Sequence, residues 1–459
     1  MSLNIYNSSS KQVEEFSPIN QDEVLMYTCG PTAYDFAHIG NFRTFFTSDI
    51  ILRTLRFNDY NVKFVMNLTD LGHLTDDGDD GDDKMEVAAE REGKSARDVA
   101  DFYIKAFKKD FEALNMHRPA IFTRATDYIA EQIEMIQDLE NKGYIYKTVD
   151  GVYFDTSKYD DYGKQFGLDI ENVQEGARVR PNPDKKNQAD FALWKFSPVD
   201  QQRWQEYDSP WGKGYPGWHI ECSAMVRKEL GITIDIHLGG EDHRMPHHPN
   251  EIAQSVCANE KPLSKYWVHV THLQVDGGGM AKSQGTGYTL EDVVNRGYTP
   301  MDIRFFYMTA HYRSPLNFTW ESLQSAHNSL KKLYDLVSGY KESEYAEVND
   351  ELIQKFTLAV NSDFNMPKAI AVVWELLKSE VEEPVKIKTL LKMDEVLGLN
   401  LGDHVGYEIP QKVKDIAKMR WDYKQSGIWD KADQLRKEAS ELGYLVEDTK
   451  EGYKVRRKL

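Results

Sequence analysis

Apolar residues recur along the first half of the chain in a fixed order: a short apolar run, a turn rich in Gly, Pro or Asp, then positions spaced as on a helix. Val24-Leu25-Met26-Tyr27 reads as a buried strand, residues 45–55 have helical spacing, and Val62-Lys63-Phe64-Val65-Met66 reads as a second strand. Strand, helix, strand predicts a parallel crossover unit. Residues 95–114 read as one helix with Ser95 as N-cap and Asp98 at N3. Between residues 118 and 210 the pattern changes to one helix (129–142), short strands at 144–146 and 152–154, and polar linkers such as Pro181-Asn182-Pro183-Asp184. Sheet-like pattern resumes at 217–225, followed by strands at 232–238 and 267–272. The middle segment therefore reads as an insertion into an α/β domain. Beyond Asp302 the periodicity is helical, at 323–337, 352–360, 367–379 and 386–397, as in a bundle. A linker at 402–410 precedes two helices (413–424 and 429–442) and a hairpin at 444–455. The expected organisation is α/β: a parallel-sheet domain (1–117 and 211–300) with an inserted domain (118–210), a helical domain (301–400) and a small α+β module (411–459).

Composition sharpens this. The chain has 459 residues, 41% hydrophobic and 28% charged, with a net charge of -18. It has no apolar run long enough for a membrane span, and no secretory pattern is visible at its start. The negative charge argues against a general nucleic-acid binder. Residues 411–459 reverse it, with 13 Lys/Arg against 9 Asp/Glu, a net +4 that suits an anionic partner. The three cysteines, Cys29, Cys222 and Cys257, do not make a disulfide framework, so a reducing cytoplasm is expected.

The candidate chemistry sits at strand ends. Cys29-Gly30-Pro31-Thr32 follows the first strand, and His38-Ile39-Gly40-Asn41 opens the helix, offering a thiol, an imidazole and helix N-terminal N–H groups. Asn67-Leu68-Thr69-Asp70 ends the second strand, where open α/β sheets bind ligands. Gly239-Gly240-Glu241-Asp242 ends a third; the glycines admit a flat ligand and the Asp suits a ribose hydroxyl. His247 and Glu251 share one helix face, and Pro249 fits only the first turn of that helix. Gly277 to Gly285 reads as a flexible loop carrying Lys282, suited to polyphosphate charge. Residues 75–83 are acidic but lack the spacing and closing Glu of a calcium loop, so a solvated loop or lid is expected. Cys29 and Cys222, placed beside strand ends, together with His247 and Glu251, supply S, S, N and O donors. That set suits tetrahedral zinc.

In this order the motifs resemble the cysteinyl-tRNA synthetases of class I, over nearly the whole chain. Cys29-Gly30-Pro31-Thr32 with His38-Ile39-Gly40-Asn41 looks like the family's zinc cysteine and HIGH signature. Trp218-His219-Ile220-Glu221-Cys222-Ser223 and His247-His248-Pro249-Asn250-Glu251 look like its other zinc segments, and Met280-Ala281-Lys282-Ser283 stands at the KMSKS position. Arg304-Phe305-Phe306, Asp363-Phe364-Asn365 and Leu445-Val446-Glu447-Asp448-Thr449 resemble its helical and anticodon-side regions. The resemblance implies a Rossmann-like class I fold and ligation of cysteine to tRNA(Cys) through a cysteinyl-adenylate. It implies one zinc ion on Cys29, Cys222, His247 and Glu251, and Mg²⁺ with ATP. His38, Asn41 and Lys282 are then the catalytic residues. Gly40, Gly239, Gly240 and Asp242 join His38 and Lys282 at ATP, and Thr69, Trp218 and His219 form the cysteine pocket. The partners are tRNA(Cys), ATP and L-cysteine; a monomer with no membrane association is expected. Three positions depart from the family pattern: Gly279 replaces the first KMSKS lysine, an acidic insertion follows Asp70, and Pro249 stands where a Glu is usual. Two other functions fit parts of the pattern: a cysteine ligase of the same fold acting on an amino-sugar, and a zinc-bearing RNA-binding paralogue without catalysis.

Overall fold

The computed structural model describes residues 1–72, 83–167, 183–198, 203–280, 285–340, 346–406, 408–449 and 452–457. Most of the acidic stretch and Lys282 lie outside them.

Two short strands, β1 (Asn4–Asn7) and β2 (Gln12–Glu15), pair antiparallel. β3 (Val24–Thr28), α1 (Ile39–Phe57) and β4 (Val62–Leu68) then form the strand–helix–strand unit. α1 begins earlier than its apolar spacing suggested, because His38 and Asn41 form a reciprocal capping box. α2 (Lys84–Glu92) and α3 (Ala96–Ala113), the latter capped by Ser95, lead to β5 (Ile121–Arg124). After α4 (Ile129–Asn141), strands β6 (Ile145–Lys147), β7 (Gly151–Phe154), β8 (Phe191–Phe196) and β9 (Gly214–Pro216) make an antiparallel sheet. α5 (Trp218–Glu229), β10 (Ile234–Gly240), α6 (His247–Asn259) and β11 (Ser264–Val270) return to the main sheet.

That sheet has the order β11-β10-β3-β4-β5, and all its pairs are parallel. The chain moves from β3 outward to β5, then comes back to place β10 on the other side of β3. The topological switch point therefore lies between β3 and β10, where open α/β sheets bind ligands beyond the strands' C-terminal ends. β4 and β10 are buried along nearly their whole length, as a sheet covered on both faces requires.

Residues 217–225, read as sheet-like, are instead the start of α5. Every residue from His219 to Val226 is buried, so the helix has no polar face to reveal its period. The loop expected at 277–285 is in part a hairpin: β12 (Leu273–Val275) pairs with β13 (Gly278–Gly279). α7 (Leu290–Asn295), α8 (Pro300–Tyr307) and β14 (Leu316–Phe318) connect it to the helices α9 (Trp320–Ser338), α10 (Asp350–Asn361), α11 (Met366–Lys378) and α12 (Glu383–Leu397). These four pack into the same hydrophobic core as α1 and α3. α13 (Gln411–Gln425), α14 (Trp429–Glu441), β15 (Tyr444–Thr449) and β16 (Gly452–Arg457) form a small unit with its own core around Ile416, Ala439 and Val446. Among the described residues no helix is long and apolar enough to cross a membrane.

Candidate active site

Cys29 leaves β3 directly at the switch point, its N–H donating to Leu238 O of β10 at 3.0 Å. Gly30 follows because nothing larger fits: a Cβ there would lie 1.8 Å from Asn67 O of β4. The buried helix α5 brings Cys222 to the same place, and α6 brings His247 in its first turn and Glu251 one turn later. Donor atoms of Cys29, Cys222, His247 and Glu251 all lie within 4.8 Å of one another, and all four residues are buried. Cys222 reaches this cluster from a helix interior, not from beside a strand end. A second, overlapping set, Cys29, His237, His248 and Glu251, meets the same limit.

Inside the cluster, His247 Nε2 lies 2.9 Å from Glu251 Oε1, and Cys29 Sγ lies 3.8 Å from that oxygen. Burial opposes the charge on His247, but the Glu251 carboxylate and the Cys222 thiol outweigh it and hold the imidazolium up to about 10. Burial likewise opposes ionisation of Glu251, and His237 and His247 outweigh it, so this carboxyl is held below its ordinary range. The two thiols are shifted in opposite directions. Burial and the neighbouring Cys222 push Cys29 up, while the hydrogen bond from Cys29 brings Cys222 down to about 7. Two thiols, an imidazole and a carboxylate in a dry site make a donor set that fits zinc, whose binding would displace the protons these groups hold.

The composition of this region hid its histidines. His237 on β10, His248 on α6 and His269 on β11 are all buried against the cluster. His237 stacks on Trp267 at 4.5 Å between centroids, and His248 Nδ1 lies 2.8 Å from His269 Nε2. His237 and His269 stand as polar rings in buried strands, and His248 follows His247 at the start of α6.

A cavity of about 200 Å³ opens from the cluster along the switch point. Of the residues singled out from the sequence, Cys29, Cys222, His247, Thr69, Trp218, Asn41, Gly240 and Asp242 line it. Thr69 is held by Asn67 Nδ2 at 3.0 Å and bonds Glu221 Oε2 at 3.2 Å. The Trp218 ring packs 4.9 Å from that of His247. His219 lies behind the wall, its Nδ1 2.8 Å from His247 Nδ1. Gly239 also lies behind it: a Cβ there would meet His243 at 2.6 Å and His248 at 2.8 Å, so its bareness makes room for imidazoles. Burial opposes the charge of Asp242, and His243 and His272 outweigh it to keep that carboxyl low. Tyr34, Thr44, Lys84 and His243 also line the cavity and were not singled out.

His38 and Asn41 stand at the start of α1. His38 Nδ1 accepts from Asn41 N at 3.1 Å, and Asn41 Oδ1 accepts from His38 N at 3.0 Å. Both flanks of the segment carrying Lys282 reach this turn. A Cβ on Gly40 would lie 3.0 Å from Met280 Sδ, and Ile39 N donates to Tyr288 O at 2.8 Å. Cys257 is buried on α6, where burial pushes its thiol up to about 12.

Comparison with known proteins identifies the family. A family model described as tRNA synthetases class I (C) catalytic domain matches residues 15–328. The chain is 46% identical over 458 residues to a protein of Burkholderia lata named Cysteine--tRNA ligase 1, covering 99% of this chain and 97% of that one. It is 40% identical to the Cysteine--tRNA ligase of Treponema denticola, covering 98% of each chain. Among solved structures, a methionyl-tRNA synthetase of Mycobacterium tuberculosis with methionyl-adenylate superposes with a TM-score of 0.56 at 15% identity, covering 86% of this chain and 94% of that chain. At that identity the likeness shows the fold.

Proposed function

This chain belongs to the cysteine--tRNA ligase family, class I aminoacyl-tRNA synthetases, and from that premise we propose that it ligates L-cysteine to tRNA(Cys) through a cysteinyl-adenylate. The observation that carries the reading is that the Cys29, Cys222, His247 and Glu251 cluster opens into the cavity that Asn41, Gly240 and Asp242 also line.

In the first step a carboxylate oxygen of cysteine attacks the α-phosphorus of ATP, which enters with Mg²⁺, and pyrophosphate leaves. In the second, the 2′-OH of the terminal adenosine attacks the acyl carbon and AMP leaves. Neither step needs a side-chain nucleophile, so the chain contributes positioning and charge. The His38–Asn41 capping pair fixes the imidazole at the start of α1, whose N-terminal partial charge favours phosphate. Lys282 meets the leaving pyrophosphate. Asp242, held ionised, takes a ribose hydroxyl beside Gly240. Trp218 and Thr69 shape the amino-acid end, and His219 holds His247 from behind.

Cys29, Cys222, His247 and Glu251 would hold zinc, which when bound supplies a soft Lewis acid that prefers a thiolate to a hydroxyl. Serine differs from cysteine by one atom, a contrast that cavity shape alone discriminates weakly. The unit α13–β16 favours tRNA over an amino-sugar as acceptor, because a small-molecule ligase has no use for it. Charging of a tRNA(Cys) transcript with radiolabelled cysteine tests the reading. Stable charging supports it; none, with exchange intact, points to another acceptor.

A further inference from the structure

Lys84 stands fourteen residues beyond Asp70 in sequence, yet it lines the same cavity as Cys29, Thr69 and Trp218. The fold brings it there by joining the two ends of the acidic segment. A Cβ on Gly72 would lie 1.9 Å from Asp83 Oδ2, so residues 72 and 83 are neighbours. Asp83 caps α2, accepting from Met85 N at 2.7 Å and Glu86 N at 3.1 Å, and it is ion-paired with Arg203. Arg203 in turn lies 3.8 Å over the Tyr215 ring. Two residues on, Gln205 accepts from Gly72 N at 2.9 Å and donates to Asp70 O at 2.8 Å. Met85, Ala88 and Ala89 bury the inner face of α2. The first turn of α2 is thus clamped from both sides, and Lys84 is its first residue.

The ammonium itself is not used by this clamp. Its Nζ lies 5.9 Å from the centroid of Tyr34, another residue of the cavity wall. Among the described residues it makes no ion pair and no hydrogen bond to an acceptor. The other nitrogen bases of the wall are engaged: His243 Nδ1 accepts from Gly240 N at 3.0 Å, and His247 belongs to the metal cluster. The described wall therefore carries one free permanent cation. Its counterpart in the reaction proposed above is clear from chemistry. With the thiol fixed at the cluster, the carboxyl carbon of cysteine is three bonds from the sulfur, and the α-phosphate it attacks is adjacent.

We propose that Lys84 is a substrate-binding residue, whose ammonium pairs with the negatively charged carboxylate–phosphate junction of the bound amino acid and nucleotide. The assignment rests on the function proposed above. A charge-assisted bond of this kind is worth about 10- to 100-fold in affinity.

The test uses the full-length protein with Lys84→Met, Lys84→Gln and Lys84→Arg, each checked for bound metal and thermal midpoint. Calorimetry measures binding of L-cysteine, of cysteamine (the same thiol and amine without a carboxylate) and of ATP. If the carboxylate is the contact, Lys84→Met and Lys84→Gln weaken L-cysteine and leave cysteamine unchanged. If the phosphate is the contact, they weaken ATP and leave L-cysteine unchanged. Either result, with a matching fall in kcat/KM for cysteine-dependent pyrophosphate exchange and partial rescue in Lys84→Arg, supports the assignment. Unchanged binding of all three, or equal loss for cysteine and cysteamine, overturns it. Wild-type protein without cysteine-dependent exchange contradicts the proposed function instead, and the calorimetric comparison still reads Lys84 directly.

Discussion

His237 Nε2 lies 2.8 Å from Glu251 Oε2, with both side chains fully buried. This contact fixes one carboxylate oxygen and leaves Oε1 turned to His247 and Cys29. Partners that orient a ligand typically govern metal affinity about 10- to 100-fold. His237→Ala is accordingly expected to weaken metal binding by about that factor while leaving Cys29, Cys222, His247 and Glu251 in place. Competition against a chromophoric chelator measures it. Wild-type affinity in the variant would contradict the positioning role.

Arg304 on α8 donates to Asp49 Oδ2 on α1 at 2.6 Å, and both are wholly buried. The same guanidinium bonds Leu397 O at the end of α12 and Leu114 O after α3. Removing Arg304 leaves Asp49 with Arg53 at 2.8 Å as its remaining cation and takes a donor from the Leu397 and Leu114 carbonyls. Arg304→Met should cost about 3 kcal/mol, read from denaturant unfolding. A loss under 1 kcal/mol would show the network to be dispensable.

Burial raises the Asp110 carboxyl to about 6, with Lys109 opposing and Glu291 adding. A carboxyl raised on folding favours the native state only when protonated. Its contribution is present below the unfolded value of about 4 and lost as pH rises through 6. Asp110→Asn should therefore be more stable than wild type at pH 7, by about 1 kcal/mol once solvent screening is allowed for. The gap should close near pH 4. An equal gap at both pH values would rule out the titration as its cause.

The unit α13–β16 has its own core and is clamped by Arg420 to Asp448 at 2.6 and 2.9 Å. Its bridge to the helical part includes Lys331 to Glu447 at 2.6 Å. Deleting residues 411–459 should leave cysteine-dependent pyrophosphate exchange near wild type and lower tRNA charging at least about 10-fold, a step of 1.4 kcal/mol. Equal loss of both activities would refute separate roles.

Periodicity alone found β3, β4, α3, α4 and most helices beyond residue 320, because each has one apolar and one polar face or a bounded apolar run. It misplaced Cys222 because α5 is buried on every side and carries no period. The four donors were legible as residue types, but their convergence depended on the switch point between β3 and β10, a property of strand order that no local window contains. Lys84 was hidden for a related reason: the acidic segment separates it from Asp70 in sequence, and the Asp83–Arg203 and Gln205 contacts undo that separation in space. His237 and His269 were overlooked because each is the one histidine of its strand, and His248 because its neighbour His247 reads as the ligand of that pair.

The central claim is that the buried cluster selects a thiol substrate for adenylation. ATP–pyrophosphate exchange with L-cysteine and with L-serine, on one preparation whose zinc content is determined, tests it most directly. The account predicts about one zinc ion per chain and exchange driven by cysteine at least about 10⁴-fold better than by serine, the discrimination expected when a specific contact is lost rather than a methylene. Zinc-loaded protein that exchanges equally with both, or with neither, would contradict it.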